Sequence, residues 1–245
     1  MPVYFAHATS FCGAVWEPVT SRLSDVECIT WDFAGHGSGP ELSLPVSWET
    51  FGAQVLDETE PGGVGVGHSM GACAMLMAQI ADPSRFRFLI LIEPIIFPGP
   101  HGRVEHPLSE TATHRKRSFP SRDAALDNFA SGGALAGWDQ EALTAYVRCG
   151  FRGDGPVHLA CPPEVEADVY RASNDHDTWE RLDQIEIPVL ILAGETSDTI
   201  TPDFARTQAQ RFPSAGIEIV AGAGHFLPME RPGLVADRIS RIANV

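Results

Sequence analysis

Short β-rich apolar runs alternate with longer segments whose apolar residues recur at helical spacing, near both ends of the chain. The first kind predicts strands and the second predicts helices. The predicted strands are 2–7, 26–32, 63–67, 88–93, 188–193 and 217–220, and the predicted helices are 48–60, 70–81, 202–212 and 231–243. This alternation is typical of βαβ units, so the pattern predicts a doubly wound, mostly parallel α/β sheet with helices on both faces.

The alternation breaks between about Pro98 and Trp179. A Gly/Pro-rich stretch at 98–102 leads into charged, helix-like segments that contain no convincing strand. The segments 124–130 and 140–150 each have one apolar face, which suits them to roof a cleft. The pattern predicts a core of residues 1–97 and 180–245, with residues 98–179 as a helical insertion that covers one end of the sheet.

Composition and charge limit the classes of partner. The chain has 245 residues, 44% of them hydrophobic, and a formal net charge of −15. That charge opposes nucleic acid and anionic membranes. No run approaches the ~20 apolar residues of a membrane span, and the first residues lack the basic start of a signal peptide. We therefore expect a cytoplasmic protein that acts on a small molecule, while its oligomeric state is undefined.

The cysteines and histidines show no metal-binding spacing. The five cysteines are scattered and form no Cys-x-x-Cys pair, and the nine histidines form no short ligand motif. We expect no metal, no cofactor, and reduced, mostly buried thiols. The cysteines are Cys12, Cys28, Cys73, Cys149 and Cys161.

The clearest chemical signal is Gly67-His68-Ser69-Met70-Gly71, which lies between a predicted strand and a predicted helix. G-x-S-x-G in this context is typical of a nucleophile elbow, a sharp turn that holds the serine in a strained conformation above the sheet. Glycines at the flanks avoid clashes with the neighbouring strand and helix. Ser69 is therefore the predicted nucleophile.

A serine hydroxyl needs a base to take its proton and a third group to orient that base. His225 follows the last predicted strand, within a Gly-rich loop at the sheet edge where parallel α/β sheets bind ligands. We predict that it is the base. For the orienting acid we favour Asp198, after the strand 188–193; Glu93, at the end of the strand 88–93, is the alternative, and Glu195 is a third candidate.

Acyl transfer also requires N–H donors directed at the developing oxyanion. The backbone N–H of Met70 is the first predicted donor. The second is the N–H of Thr9, in a small-residue loop after the first strand, although this loop is also consistent with a plain turn towards Trp16.

Together these residues resemble the α/β-hydrolase superfamily over nearly the whole core. His7-Ala8-Thr9 resembles its His-Gly oxyanion loop, and Gly224-His225-Phe226 resembles its final Gly-His motif. Asp32-Phe33-Ala34-Gly35-His36-Gly37-Ser38-Gly39 is similar to its Asp-x-x-Gly-His-Gly-x-Ser turn, and Trp16 stands where that superfamily has a tryptophan. The resemblance implies a sheet of about six strands, without the two leading strands, and a cap formed by residues 98–179.

Two departures from the superfamily pattern bear on the chemistry. Ala8 replaces the usual glycine, which narrows the oxyanion loop and leaves the identity of its donor open. Glu93 lies where haloalkane dehalogenases of this fold can carry their acid. Those enzymes use an aspartate nucleophile, so Ser69 argues against dehalogenation.

In this superfamily the cap shapes the substrate pocket. The candidates for pocket residues are His7, Trp16, His68, Phe119, Trp138 and Phe226. A basic patch, residues 114–117 with Arg122 nearby, is interpreted either as a grip for a carboxylate or phosphate or as a solvated helix face paired to acids.

Three functions follow from these residues. The first is hydrolysis of a small or medium carboxylic ester or acyl thioester, with an apolar acyl or alcohol part, through an acyl-enzyme on Ser69. The second is a cofactor-free carbon–carbon hydrolase or lyase that uses the same triad. The third is a non-catalytic ligand receptor of the same fold.

Overall fold

The computed structural model describes residues 1–243 and contains a parallel sheet with helices on both faces. Its strands are β1 (Val3–Ala6), β2 (Cys28–Thr30), β3 (Gly63–His68), β4 (Phe86–Ile92), β5 (Ser118–Phe119), β6 (Phe151–Arg152), β7 (Val157–Leu159), β8 (Val189–Gly194) and β9 (Ala215–Val220). Its helices are α1 (Glu17–Thr20), α2 (Glu49–Glu58), α3 (Met70–Ala81), α4 (Pro107–Thr113), α5 (Arg122–Ala130), α6 (Gln140–Cys149), α7 (Pro163–Arg171), α8 (Pro202–Ala209), α9 (Leu227–Glu230) and α10 (Pro232–Ala243). Two 3₁₀ helices span Gly13–Trp16 and Thr178–Gln184.

The six strands of the main sheet lie in the order β2-β1-β3-β4-β8-β9, and every neighbouring pair is parallel. This confirms the predicted doubly wound sheet of about six strands. Because all strands run the same way, their carboxyl ends meet at one edge, where parallel α/β sheets place their sites. The last two residues of the predicted core, Asn244 and Val245, lie outside the described residues.

Glycines allow α3 to pack directly on the centre of the sheet. A Cβ at Gly67, on β3, would lie 2.5 Å from the Ala72 Cα, and a Cβ at Gly71 would collide with the Ala6 carbonyl oxygen. Most of α3 is buried, because the helix is covered on both sides by the sheet and by α2. The close approach of β3 and α3 sharpens the turn that carries Ser69.

The insertion contains strands that sequence reasoning missed. We expected no strand in residues 98–179, but β5, β7 and β6 form a small antiparallel sheet. Strands of two or three residues are too short to show an alternating pattern, which explains the error. The apolar residues of the insertion join the two large core clusters of the molecule. The insertion is therefore continuous with the core, and its separation as a cap unit at 98–179 stays a prediction.

The expectation of reduced thiols is wrong for two cysteines. Cys12, before the first 3₁₀ helix, and Cys149, the last residue of α6, form a disulfide with their Cα atoms 6.3 Å apart. That separation lies within the usual range for a disulfide. The two residues are 137 positions apart in sequence, so their spacing gave no sign of the pairing. Cys28, Cys73 and Cys161 are free.

Two features are absent from residues 1–243. No helix in this range is both long enough and apolar enough to span a membrane. Within the same range, no group of three or more histidine, cysteine, aspartate or glutamate side chains is arranged to hold a metal ion.

Candidate active site

Ser69 occupies a strained turn between β3 and α3. Its backbone has φ 55° and ψ −116°, a conformation that residues with a side chain rarely adopt. The Ser69 N–H donates to the Ile92 carbonyl at 2.9 Å, which ties the turn to β4. The residue is 7% exposed, so most of it lies beneath other parts of the chain. This is the sharp strand-to-helix turn that the G-x-S-x-G motif predicts.

His225 lies between a hydroxyl and a carboxylate. Its Nε2 is 3.2 Å from Ser69 Oγ, and its Nδ1 is 3.0 Å from Glu93 Oε2. Because a carboxylate accepts, Nδ1 carries the proton and Nε2 is left to accept the proton of the serine hydroxyl. The loop after β9 thus brings its histidine to the turn after β3, across three positions of the sheet.

Glu93 is fully buried at the end of β4, with φ 52°. Two donors besides His225 satisfy its oxygens. The Gly194 N–H donates to Oε1 at 2.7 Å, and the Ser197 hydroxyl donates to Oε2 at 2.6 Å. Three hydrogen bonds hold one carboxylate in a single orientation, which compensates for its removal from water.

Asp198, the favoured candidate for the orienting acid, does not contact His225. The carboxylate beside His225 Nδ1 is that of Glu93, the alternative candidate, and this corrects the expected geometry. Asp198 is exposed, and its carboxylate accepts from the Thr199 hydroxyl. In the loop after β8 it is Ser197 that points inward, while Glu195 accepts from the Gly222 N–H at 3.0 Å. The position beside His225 Nδ1 is filled by the longer side chain of Glu93 from the neighbouring strand.

The two predicted oxyanion donors lie on segments that touch. Met70 begins α3, so its N–H belongs to the first turn, where helix N–H groups have no partner within the helix. The Thr9 hydroxyl is 3.5 Å from Met70 Sδ, which packs the loop after β1 against the start of α3. The next residue, Ser10, has φ 70°, so this loop also contains a strained turn.

His7 supports this loop and does not line a pocket. It is fully buried, its Nε2 accepts from the Phe33 N–H at 3.0 Å, and its Nδ1 lies 2.8 Å from the Ala8 carbonyl. The first bond requires a free lone pair on Nε2, so Nδ1 donates to Ala8. Burial lowers the pKa of His7 to about 4, which keeps the ring neutral.

His68 is also fully buried, and it contacts the loop that carries His225. Its Nε2 donates to the His225 carbonyl at 2.8 Å, and the two rings are 5.2 Å apart. Burial, together with the neighbouring His225, holds the pKa of His68 well below its ordinary value. A neutral ring in this position adds no positive charge beside His225.

Four aromatic rings, which we call the aromatic cluster, join the core to the insertion next to His225. Phe11 and Phe226 come from core loops, and Trp138 and Tyr146 come from the insertion. Ring centroids within the cluster are 5.0 Å apart for Phe11 and Trp138 and 5.4 Å apart for Trp138 and Phe226. Sequence reasoning did not single out Phe11, because one aromatic residue in a small-residue loop shows no periodicity.

The other predicted pocket residues lie elsewhere. Trp16 is fully buried in the core, with its ring 5.3 Å from that of Phe5. Phe119 packs inside the insertion against Phe129 and Phe151, each 5.7 Å away. Of the six pocket candidates, the structure therefore brings His68, Trp138 and Phe226 near His225.

The arginines of the basic patch contact carboxylates and carbonyl groups of the same chain. Arg115 forms an ion pair with Glu166 and donates to the Tyr146 hydroxyl at 3.0 Å, while Arg117 pairs with Glu164 at 2.9 Å. Arg122 donates to the carbonyls of Phe151 and Gly153. These contacts favour a structural role for the patch, with two arginines paired to acids, although residues 114–117 lie in the turn between α4 and β5 and not on a helix face.

The fold and this arrangement of serine, histidine and carboxylate define a class, and comparison with known proteins identifies it. A model of the alpha/beta hydrolase family matches residues 3–238, so the chain belongs to that family. The chain is 30% identical to the esterase YbfF of Escherichia coli (strain K12) over 232 residues, covering 91% of this chain and 84% of that protein.

Solved structures show the same fold. The peroxisomal alpha-beta-hydrolase Lpx1 of Saccharomyces cerevisiae superposes with a TM-score of 0.85 at 18% identity, covering 99% of this chain and 76% of that one. The E-2-(acetamidomethylene)succinate hydrolase superposes with a TM-score of 0.82 at 20% identity, covering 100% of this chain and 91% of that one.

Proposed function

We propose that this α/β hydrolase cleaves small or medium carboxylic esters or acyl thioesters through an acyl-enzyme on Ser69. The observation that carries the proposal is the continuous chain of contacts from Ser69 Oγ through His225 to buried Glu93. The likeness to an esterase supports the same reaction class. In this proposal Glu93 replaces Asp198 as the orienting acid.

The reaction proceeds in two halves. Ser69 Oγ attacks the acyl carbonyl while His225 Nε2 takes the hydroxyl proton, and the carbonyl oxygen becomes an oxyanion. The tetrahedral intermediate collapses, His225 returns its proton to the departing alcohol or thiol, and the acyl group remains on Ser69. Water then attacks the acyl-enzyme with His225 again as base, and the acid is released.

Electrostatics favours each charged stage. Glu93 keeps the His225 ring in the tautomer that can accept at Nε2, and it stabilises the imidazolium that forms after proton transfer. The N–H groups of Met70 and Thr9 are the proposed oxyanion donors, each worth about 3–4 kcal/mol in sites of this kind. The positive end of the α3 dipole adds to their effect.

The aromatic cluster is the proposed contact for the substrate's apolar part. Phe226 is adjacent in sequence to His225, with their ring centroids 5.6 Å apart, so the cluster begins beside the reacting atoms. Burying one acyl methylene against such rings stabilises binding by about 0.8 kcal/mol. We propose that the substrate is a small molecule with an apolar part and that the enzyme acts in the cytoplasm.

The experiment is turnover of p-nitrophenyl esters of increasing acyl length by the native protein and by Ser69→Ala. Chain-length-dependent release that the substitution abolishes supports the proposal. The matched control is Ser131→Ala, an exposed serine at the end of α5. If native protein releases no p-nitrophenol while a fluorophosphonate still labels Ser69, the ester proposal fails in favour of carbon–carbon cleavage. If the native protein neither releases p-nitrophenol nor is labelled by the fluorophosphonate, a non-catalytic receptor is favoured.

A further inference from the structure

The helix α6 connects the insertion to the loop that carries a proposed oxyanion donor. Cys149 ends α6, and its disulfide partner Cys12 lies three positions after Thr9. Tyr146 of the aromatic cluster lies three positions before Cys149, and residues with this spacing share one helix face. The disulfide therefore links the cluster's helix to the oxyanion loop, within about one helical turn of the Tyr146 ring.

At the solvent-exposed edge of the interface between α6 and the core, the contacts are weak ion pairs. Arg148 pairs with Glu17, with both side chains more than half exposed, and Arg22 lies 3.8 Å from the exposed Glu141. Exposed ion pairs of this kind contribute little stability. A groove of about 530 Å³ opens between α1 and α6. The disulfide between Cys12 and Cys149 joins the two sides of this interface covalently.

The interface between the insertion and the core lies beside the proposed catalytic residues. The nucleophile is 7% exposed, and Tyr146 and Trp138 of the insertion pack on Phe11 and Phe226 of the core. Separation of these two pairs of rings would widen the space beside His225 for a larger acyl group. A bond from Cys149 to Cys12 opposes that separation because it fixes one end of α6 to the core.

We propose that Cys12 and Cys149 form a redox-sensitive clasp that limits acyl size when closed and widens the pocket when open. Disulfides of cytosolic proteins are usually transient or redox-sensing, so in the cytoplasmic location proposed above this pair acts as a switch. The effect on acyl size rests on the proposed esterase function, while the state of the bond does not.

Opening the clasp is thiol–disulfide exchange with a dithiol. Cys149 is half-buried and Cys12 is fully buried, so the attacking thiolate reaches Cys149 Sγ first. A mixed disulfide forms at Cys149, and Cys12 leaves as a thiolate that takes a proton. The second thiol of the reductant then releases Cys149 as a thiol, and the dithiol departs as a cyclic disulfide. Two electrons and two protons pass to the protein.

The test begins with a thiol count that is independent of activity. The air-oxidised protein, denatured and alkylated, is weighed by mass spectrometry beside protein first reduced with dithiothreitol. Three alkyl groups are expected on the oxidised chain, from the three free cysteines, and five on the reduced chain. Hydrogen exchange should show faster exchange of α6 amides after reduction. Five alkyl groups on the oxidised chain would overturn the clasp.

The second part measures kcat/KM for p-nitrophenyl acetate and octanoate in both redox states. Reduction should raise the octanoate-to-acetate ratio by about tenfold, as expected when entry is gated by a moving element. Cys149→Ser should show the reduced ratio in either state, whereas Cys28→Ser, at a free cysteine on β2, should respond like the native protein.

An octanoate-to-acetate ratio that ignores both redox state and Cys149→Ser would overturn the clasp while leaving the esterase function intact. A changed thiol count and faster α6 exchange, without ester turnover in either state, would support the redox-sensitive bond between Cys12 and Cys149 and reject both the esterase proposal and the effect on acyl size.

Discussion

The carboxylate that faces His225 belongs to Glu93, the residue directly after β4, and its neighbour from the loop after β8 is the hydroxyl of Ser197. Glu93 and Asp198 both follow strands whose carboxyl ends meet at the same edge of the sheet. Sequence position alone therefore made both residues plausible as the acid that orients His225. The choice depends on side-chain reach and on which residue of the β8 loop turns inward, and those properties exist only in the folded chain.

Exchanging Glu93 for Gln should lower kcat by about 10³–10⁴-fold, because the amide cannot stabilise the imidazolium or fix the tautomer of His225. Asp198→Asn, the matched change in an exposed side chain, should leave kcat within about twofold of native. Steady-state kinetics with one ester, supported by circular dichroism to establish folding, measures both variants. A large loss in Asp198→Asn with native activity in Glu93→Gln would reverse the assignment.

At the scale of elements, the pairing of β3 with α3 was the most predictable part of the molecule. The helix occupies the same residues that its periodicity predicts, and β3 is only one residue longer than predicted. The main sheet was equally readable, because its strands are apolar and separated by helices. The small sheet of the insertion was not, since its strands have two or three residues.

The contact between α3 and β1 makes a quantitative prediction. Gly71→Ala places a methyl group against the Ala6 carbonyl, in a place where neither backbone can move freely. Overpacking of this kind costs about 1–3 kcal/mol in the free energy of unfolding, and it should also displace Ser69 and lower kcat. Gly132→Ala is the control, because nothing lies within 4 Å of its added carbon. Urea unfolding of the two variants measures the difference, and equal stabilities would refute this account of the turn.

The molecule as a whole buries neutral histidines beside its site. Burial lowers the pKa of His7 to about 4 and that of His36 to about 3, against about 6.5 for an imidazole in an unfolded chain. Between those values the unfolded state binds protons that the folded state does not. The stability from keeping these rings neutral is thus fully present above pH 6.5 and is lost as the pH falls towards the folded values.

The free energy of unfolding should therefore fall between pH 7 and pH 5, with each buried histidine contributing up to about 1.4 kcal/mol per pH unit. His36→Phe keeps an aromatic ring without a titrating group and should flatten this dependence. His158→Ala, at an exposed histidine on β7, should leave it unchanged. Urea titrations at four pH values provide the measurement, and an unaltered slope in His36→Phe would show that His36 is not the source.

The disulfide shows what remained beyond sequence reasoning at this scale. The contact between Ser69 and His225 could be expected because each lies in a short motif beside a readable strand. Cys12 and Cys149 could not be paired, because their contact depends on how the insertion packs on the core across 137 positions. The aromatic cluster has the same origin, since its four rings come from four separate segments.

The central claim is an acyl-enzyme on Ser69, and acid quenching within milliseconds of mixing with a p-nitrophenyl ester tests it most directly. Intact mass and peptide mapping should then find the acyl group on the peptide that carries Ser69, and Ser69→Ala should carry none. Glu93→Gln should accumulate the adduct more slowly. Continued ester turnover by Ser69→Ala, or an acyl group on another residue, would contradict the account.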